Sequence, residues 1–239
     1  MEHLGLNPED IEAIVLSHGH MDHLGSLHAV LEKSRKPMPV LVHPGAFDSP
    51  RYLTRKDGGK DRFPRMLDRE EIERRGGQIR ETATPALLCE SMIMASGEVE
   101  RTTPFEKGMP HAVVEKNGTL EKDPIPDDQA LYLLLKGKGL VVIGGCSHAG
   151  IVNTVRYGKK ITGAQRVHAV LGGFHLAGPL FEPILDDTVD CLKAEAPDVV
   201  VPMHCTGWKA IQRFSLAFPS AFVLNSVGST YTFSDLSGA

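Results

Sequence analysis

No run of eighteen or more apolar residues occurs in this sequence, so no transmembrane helix is expected from it. Its first residues, MEHLGLNPED, have neither the basic segment nor the apolar core of a secretory signal, and a cytoplasmic location is the expectation that follows. Cysteine is sparse. The four in 239 residues, Cys89, Cys146, Cys191 and Cys205, form no CxxC pair, which excludes a disulfide scaffold and points to reduced thiols. Charge of one sign is also lacking: with a net charge of -4 and a sequence pI near 6.3, the chain has no broad basic surface for nucleic acid. Internal repeats and low-complexity tracts are absent. The GxGxxG spacing of a dinucleotide fold does not occur either.

What is present is an ordinary globular composition, 41% hydrophobic, enough to bury one large core in a single domain over residues 1–239. Short β-rich runs alternate with helical patterns, which indicates a layered α/β architecture. The pattern predicts strands at 11–17, 38–43, 78–82, 91–99, 111–116, 130–135, 140–144, 166–172, 198–204 and 222–226, and helices at 23–34, 68–75, 149–162, 182–195 and 207–217. Residues 49–65 read as a long loop insertion with six Lys or Arg against two Asp, which departs from the acidic balance of the whole. Two readings apply to it: a solvated loop, or a lid that attracts an anionic substrate.

The strongest local signal is IVLSHGHMDHLGSL, residues 14–27. Three of the eleven histidines and an aspartate fall within the six positions His18 to His23, directly behind an apolar run. A loop from strand to helix turns quickly enough for side chains at i, i+2, i+4 and i+5 to converge, so His18, His20, Asp22 and His23 are spaced to meet around one or two metal ions. Imidazole and carboxylate suit Zn, and also Fe, Mn or Mg. Gly19 keeps the turn free of bulk, and neutral imidazoles ligate near pH 7 without losing a proton. His148 follows a strand and a Gly-Gly turn, then opens a helix, and is assigned to the first ion. His175, after Gly172 and Gly173, reads as a ligand, a cap or a proton donor, with proton transfer or support of a ligand preferred. Cys146 is either a thiolate ligand or a small buried residue.

The fragment HGHMDH fits the pattern HxHxDH, and in this the chain resembles the metallo-β-lactamase-fold superfamily of metal-dependent hydrolases. The resemblance implies a four-layer αββα sandwich with its metal site along one sheet edge. It further implies that His18 and His20 ligate a first metal, that Asp22 and His23 ligate a second, and that His204, ending VPMH, takes the place of the last ligand. Segments 123–154, 170–176 and 201–208 extend the match. They resemble the subgroup of 7,8-dihydropterin-6-methyl-4-(β-D-ribofuranosyl)aminobenzene 5′-phosphate synthase, a transferase of tetrahydromethanopterin biosynthesis. Two departures stand out: LVVIGG ends in Cys146 where a bridging aspartate is expected, and residues 80–115 offer only His111 as a histidine. With seventeen residues before His18, the sandwich is also expected to lack its first N-terminal strands, the open edge being covered by a loop or by a second copy in a homo-oligomer.

Ions held in this way lower the pKa of bound water to about 7 and ready it for attack on an ester, lactone or phosphoester. In that scheme Asp22 also orients the water and His175 moves a proton. The expected substrate is a small anionic or phosphorylated molecule, met by Arg51, Arg55 and Lys56 of the basic stretch, by Asp128, and by Phe174 stacking on a flat ring. Turn formation and core packing are the competing readings for Asp128 and Phe174. Two alternatives to hydrolysis remain: a transferase whose ions neutralise a diphosphate leaving group, and a metal-binding protein without turnover.

Overall fold

A computed structural model of the chain describes residues 1–64 and 67–234. Its regular elements, in chain order, begin with β1 (Ile14–Val15), α1 (Met21–Leu24), α2 (Leu27–Ser34), β2 (Met38–Val42), β3 (Arg51–Thr54), β4 (Lys60–Arg62), α3 (Arg69–Arg74) and β5 (Gly77–Glu81). They continue with β6 (Ala86–Leu88), β7 (Ile93–Ala95), β8 (Ala112–Lys116), β9 (Thr119–Lys122), β10 (Ala130–Leu135), β11 (Gly139–Gly144) and α4 (Ile151–Thr162). The last four are β12 (Val167–Gly173), α5 (Leu185–Glu195), β13 (Val199–Met203) and α6 (Trp208–Ala217). Two compact units divide them: Met1–Thr84 with Met109–Asp127, and Pro85–Gly108 with the chain from Asp128 onward.

In the first unit β1, β2 and β5 form a parallel sheet in the order β1-β2-β5. β1 is far shorter than the strand predicted over 11–17. The Ile11 N–H is spent on Pro8 O at the end of a 3-10 turn, and after Leu16 N–H reaches Leu41 O the chain leaves the sheet at Ser17. The helix predicted over 23–34 is two, broken at Gly25 and Ser26. α2 lays Leu27 and Leu31 against Met38, Val40, Val42 and Ile72, with Leu16 and Leu24 in the same cluster. Burying each such side chain contributes about 1.5–3 kcal/mol, and Leu24 thereby anchors the C-terminal end of the histidine loop.

The basic stretch is not a loop. Arg51–Thr54 and Lys60–Arg62 pair as an antiparallel hairpin, and β3 also pairs with β8 in a four-stranded sheet of order β4-β3-β8-β9. The physical reason is a turn signal, Asp57-Gly58-Gly59, in which Gly58 takes φ 82° and Arg55 N–H reaches Gly59 O at 2.7 Å. Arg65, the last residue of that stretch, lies outside the described residues. β9, unpredicted, follows the same logic: Asn117 and Gly118, at φ 52° and 75°, close a two-residue hairpin between Lys116 and Thr119.

The second unit holds a six-stranded sheet of order β13-β12-β11-β10-β7-β6, in which β11, β12 and β13 run parallel. These three strands are near-continuous apolar runs because both of their faces are buried. Val142, Val170 and Val200 enter a large core with Tyr132, Val155, Leu192 and Phe214, while Val141, Ala169, Leu171 and Val201 form a second cluster. Of the predicted strand 91–99 only β7 forms, paired with β6, which was not predicted. The predicted strand 222–226 reduces to one bridge between Val200 and Phe222. Among the described residues no helix is long and apolar enough to cross a membrane.

Candidate metal centre

In the first unit the donors lie on the segment that joins β1 to α1. Ser17 Oγ stands 3.2 Å from His18 Nδ1 and 3.0 Å from His23 Nδ1, so one hydroxyl engages the same nitrogen of both rings and leaves Nε2 as the atom each presents to an ion. His18 Nε2 lies 3.1 Å from His20 Nδ1, with the ring centroids 4.6 Å apart, and the His18 and His23 centroids are separated by 4.2 Å. Asp22 is exposed, its Oδ2 3.5 Å from His23 Nε2, whereas His18 and His20 are buried. Phe63 stacks on the His20 ring at 4.9 Å.

The loop is held in this shape by a carboxylate far along the chain, Asp127. Gly19 N–H donates to Asp127 Oδ2 at 2.7 Å, and the same carboxylate accepts from Arg51. Arg51 also reaches Asp123, its Nε 3.0 Å from Oδ2, and donates to Gly45 O at 2.9 Å. Burial alone would raise the Asp127 pKa, but the Arg51 hydrogen bonds and charge, with the Gly19 amide, outweigh it and hold the carboxyl below its ordinary range. For Asp123 burial outweighs Arg51, and its pKa is raised. Gly19 has no room for a side chain, since a Cβ would stand 2.6 Å from Ala46 O.

In the second unit three parallel strands end together. The register pairs Gly144 with Gly172, Gly172 with Pro202 and Gly173 with Met203, so the turns after β11, β12 and β13 open from one sheet edge. On those turns sit Cys146 and His148, His175, and His204 and Cys205. The His148 and His175 rings are 4.2 Å apart by centroid, and Phe181 meets His175 edge-on at 4.7 Å. One donor atom each from Cys146, His175 and Cys205 lies within 4.8 Å of the others. The Cys205 thiol is shifted down, first by the hydrogen bond with Cys146 and then by His175, against the opposing effect of burial.

The turn after β11 is fixed from outside itself. Asp128 Oδ2 accepts the Ala149 N–H at 2.9 Å. Glu106 caps α4, Oε1 accepting from Val152 N–H and Oε2 from Asn153 N–H, both at 2.9 Å. Gly150, at φ 101°, is the helix N-cap residue; a Cβ there would stand 2.2 Å from the Glu106 carboxylate.

Several expected substrate contacts are occupied elsewhere. Arg51 is buried in its pairs with Asp123 and Asp127 and does not offer an anion its guanidinium. Asp128 positions the turn that carries His148, and Phe174 is a core residue packed edge-on against Phe214 at 5.2 Å. Arg55 and Lys56 are exposed on the β3–β4 turn, with Arg55 paired to Asp57 and Asp61. His175 has both ring nitrogens sealed from solvent, a poor position for exchanging protons with a substrate. Sequence reasoning missed Ser17, Glu106 and Cys205, and the hold of Asp127 on the histidine loop. The available signals were a hydroxyl beside the first histidine, the double aspartate of PDDQ, a Thr-x-x-Glu spacing in TPFE, and a cysteine following His204 at a strand end.

Residues 1–145 match the sequence profile of the Metallo-beta-lactamase superfamily. The chain belongs to that superfamily. It is 33% identical over 225 residues to the 7,8-dihydropterin-6-methyl-4-(beta-D-ribofuranosyl)-aminobenzene-5'-phosphate synthase of Methanocaldococcus jannaschii, covering 93% of this chain and 75% of that protein. An uncharacterized protein of the same organism is 35% identical over 224 residues, covering 92% of this chain and 78% of its own length. Among solved structures, Tm1679, described as a metal-dependent hydrolase of the beta-lactamase superfamily, superposes with a TM-score of 0.75 at 26% identity over 92% of this chain and 79% of its own. The metallo-beta-lactamase fold protein YhfI from Bacillus subtilis, at 10% identity and TM-score 0.51 over 94% of this chain and 79% of its own, shares the fold.

Metallo-beta-lactamase chains imply a metal, and the donors of the first unit fit one. Ligand nitrogens on a tetrahedral ion with bonds of 2.0–2.1 Å stand about 3.3 Å apart. His18 Nε2 and His20 Nδ1, at 3.1 Å, are already at that separation, and Ser17 orients the His18 ring from behind.

Proposed function

We propose that this chain is a metal-dependent hydrolase acting on an ester, lactone or phosphoester of a small anionic molecule. In this reading His18, His20, Asp22, His23, His148 and His204 serve as ligands for one or two divalent ions, zinc first among them. The observation that carries the reading is the separation of the nitrogens of the buried His18 and His20, in a loop whose backbone is tied to Asp127. Superfamily membership adds independent support. A divalent ion supplies Lewis acidity, which lowers the pKa of water or neutralises charge on a leaving group.

The chain's own residues prepare that chemistry. Ser17 selects the nitrogen that His18 and His23 present, Asp127 prevents the Gly19 amide from swinging the loop open, and Asp22, exposed beside His23, accepts a proton or orients a nucleophile. Arg55 and Lys56 remain the basic side chains of the β3–β4 turn able to meet an anionic group. A second reading, transfer onto an aromatic nucleophile with loss of diphosphate, is favoured by the 33% identity to the methanogen synthase over most of both chains.

Elemental analysis of the purified chain and of His20→Ala and His148→Ala, with turnover of a phosphodiester, a lactone and a dihydropterin diphosphate, tests both readings. A metal content below that of the wild-type chain, with loss of turnover, is the expected result in each variant. Full metal occupancy in His20→Ala would remove the first-unit ligands from the scheme. Consumption of the dihydropterin diphosphate alone, and only with an arylamine present, would decide for transfer.

A further inference from the structure

We infer that Cys146, His175 and Cys205 form a second, sulfur-rich metal site that takes a thiophilic ion such as Zn2+ or Cu+. All three residues belong to the second unit and stand on the turns after three adjacent parallel strands. Their donor atoms lie within 4.8 Å of one another. Zn–S bonds of 2.3 Å and Zn–N bonds of 2.0–2.1 Å place tetrahedral ligands about 3.5–3.8 Å apart, so a side-chain adjustment of roughly 1 Å closes the set. A second observation is independent of that spacing: both ring nitrogens of His175 are sealed from solvent and have no hydrogen-bond partner. Ring nitrogens so placed are either uncompensated or ligating.

The surroundings fit a built site. Cys205 Sγ stands 3.5 Å from Cys146 O, and a Cβ on Gly173 would come within 2.7 Å of that sulfur, so the absence of a side chain at 173 makes room for the thiol. Thiolate and imidazole donors select soft or borderline ions over Mg or Ca. Two thiolates also cancel the charge of Zn2+, which matters where Cys146 is buried. On binding, each ligating thiol gives up its proton to solvent and forms one metal–sulfur bond. With three protein ligands, the fourth position is left to water or a small molecule.

Anaerobic titration of the reduced, metal-free full chain with Co2+ alone tests this site, because a thiolate ligand produces a sulfur-to-cobalt charge-transfer band that histidine and carboxylate donors do not. The band should appear in the wild-type chain, vanish in Cys146→Ser and in Cys205→Ser, and persist in His20→Ala, which separates this site from the ligands proposed above. A second measurement needs no variant. Zn2+ should slow alkylation of Cys146 and Cys205 at least tenfold, read by peptide mass mapping, while leaving Cys89 and Cys191 unchanged. Absence of the band, its retention in Cys205→Ser, its loss in His20→Ala, or equal alkylation of the four cysteines would overturn the assignment.

Discussion

Asp127→Asn is the substitution that separates the fold of the histidine loop from its chemistry. The carboxylate accepts from the buried Arg51 guanidinium and from Gly19 N–H, 2.7 Å away. An asparagine offers one carbonyl oxygen and one amide NH2. Whichever way it turns, an N–H faces either the guanidinium or the Gly19 amide, and a buried donor left without an acceptor costs about 1–3 kcal/mol. Breaking a buried ion pair outright costs about 3–5 kcal/mol. Asp123 still faces Arg51 Nε at 3.0 Å, so the combined loss belongs near the lower end, about 3 kcal/mol. That corresponds to a roughly 100-fold faster amide exchange. The assay is native-state hydrogen exchange of a peptide covering residues 14–24, which reads this loop directly. The pH dependence has a definite sign. Asp127 has its pKa depressed in the folded chain, so its contribution is fully present above the unfolded value near 3.9 and is lost as pH falls through the folded value. The gap between variant and wild type, corrected for intrinsic exchange, should therefore be constant near neutrality and close in acid. A gap under about threefold at pH 7, where ~0.65 kcal/mol is the equivalent, or one that widens as pH falls, would refute the reasoning.

Gly19→Ala places a Cβ 2.6 Å from Ala46 O and 3.1 Å from Ala46 Cα, backbone atoms that cannot rotate away; a loss of about 1–3 kcal/mol and reduced metal content are expected, checked by thermal melting and elemental analysis. Glu106→Gln keeps an acceptor for one of the Val152 and Asn153 amides and turns a donor toward the other, so exchange in the first turn of α4 should quicken by the equivalent of about 1–3 kcal/mol. Burial raises the Glu106 pKa, so its contribution is full below the unfolded value and lost as pH rises through the folded one; the deficit of Glu106→Gln should thus grow from neutral to mildly acid pH, opposite to that of Asp127→Asn. Gly173→Ala should displace Cys205 and abolish the cobalt–sulfur band, and a band of full intensity would remove the argument from close packing.

The parallel half of the second unit was legible because its signal is local and repeated. Runs such as LVVIG and DVVVPMH are predicted at 140–144 and 198–204 and occur as Gly139–Gly144 and Val199–Met203, since strands buried on both faces need unbroken apolar stretches. The histidine loop was legible for the same reason, four donor residues within six positions. The hairpins of the first unit were not, because exposed strands such as β4 and β9 carry mostly polar side chains and announce themselves only by Asp-Gly and Asn-Gly turns. Arg51 was misread through its company: a basic stretch suggests a field facing solvent, and nothing local in RYLTRK tells the one arginine whose partners, Asp123 and Asp127, lie more than seventy residues away. Glu106 and Asp127 escaped notice because their partners are backbone amides, which leave no mark in a pattern of side chains.

Backbone conformation in the second unit adds a further step. Ser147, His175 and His204, one on each turn after β11, β12 and β13, take φ of 57°, 48° and 53°, a left-handed region in which an L-residue costs on the order of 1–2 kcal/mol and glycine nearly nothing. The same edge uses glycine at 144, 145, 172 and 173, and at the last two a Cβ would stand 2.2 Å from Gly144 O and 2.6 Å from Gly145 O, so glycine is not in short supply there. What sets the three positions apart is that each lies at or beside a metal-capable donor: Ser147 between Cys146 and His148, His175 itself, and His204 next to Cys205. Register holds them there, since the pairing of Gly144, Gly172 and Pro202 across three strands fixes where each turn begins. At these three turns, then, residues at or beside metal-capable donors hold a backbone conformation that glycine would adopt at little cost, and inference runs from those outliers to a function at this edge.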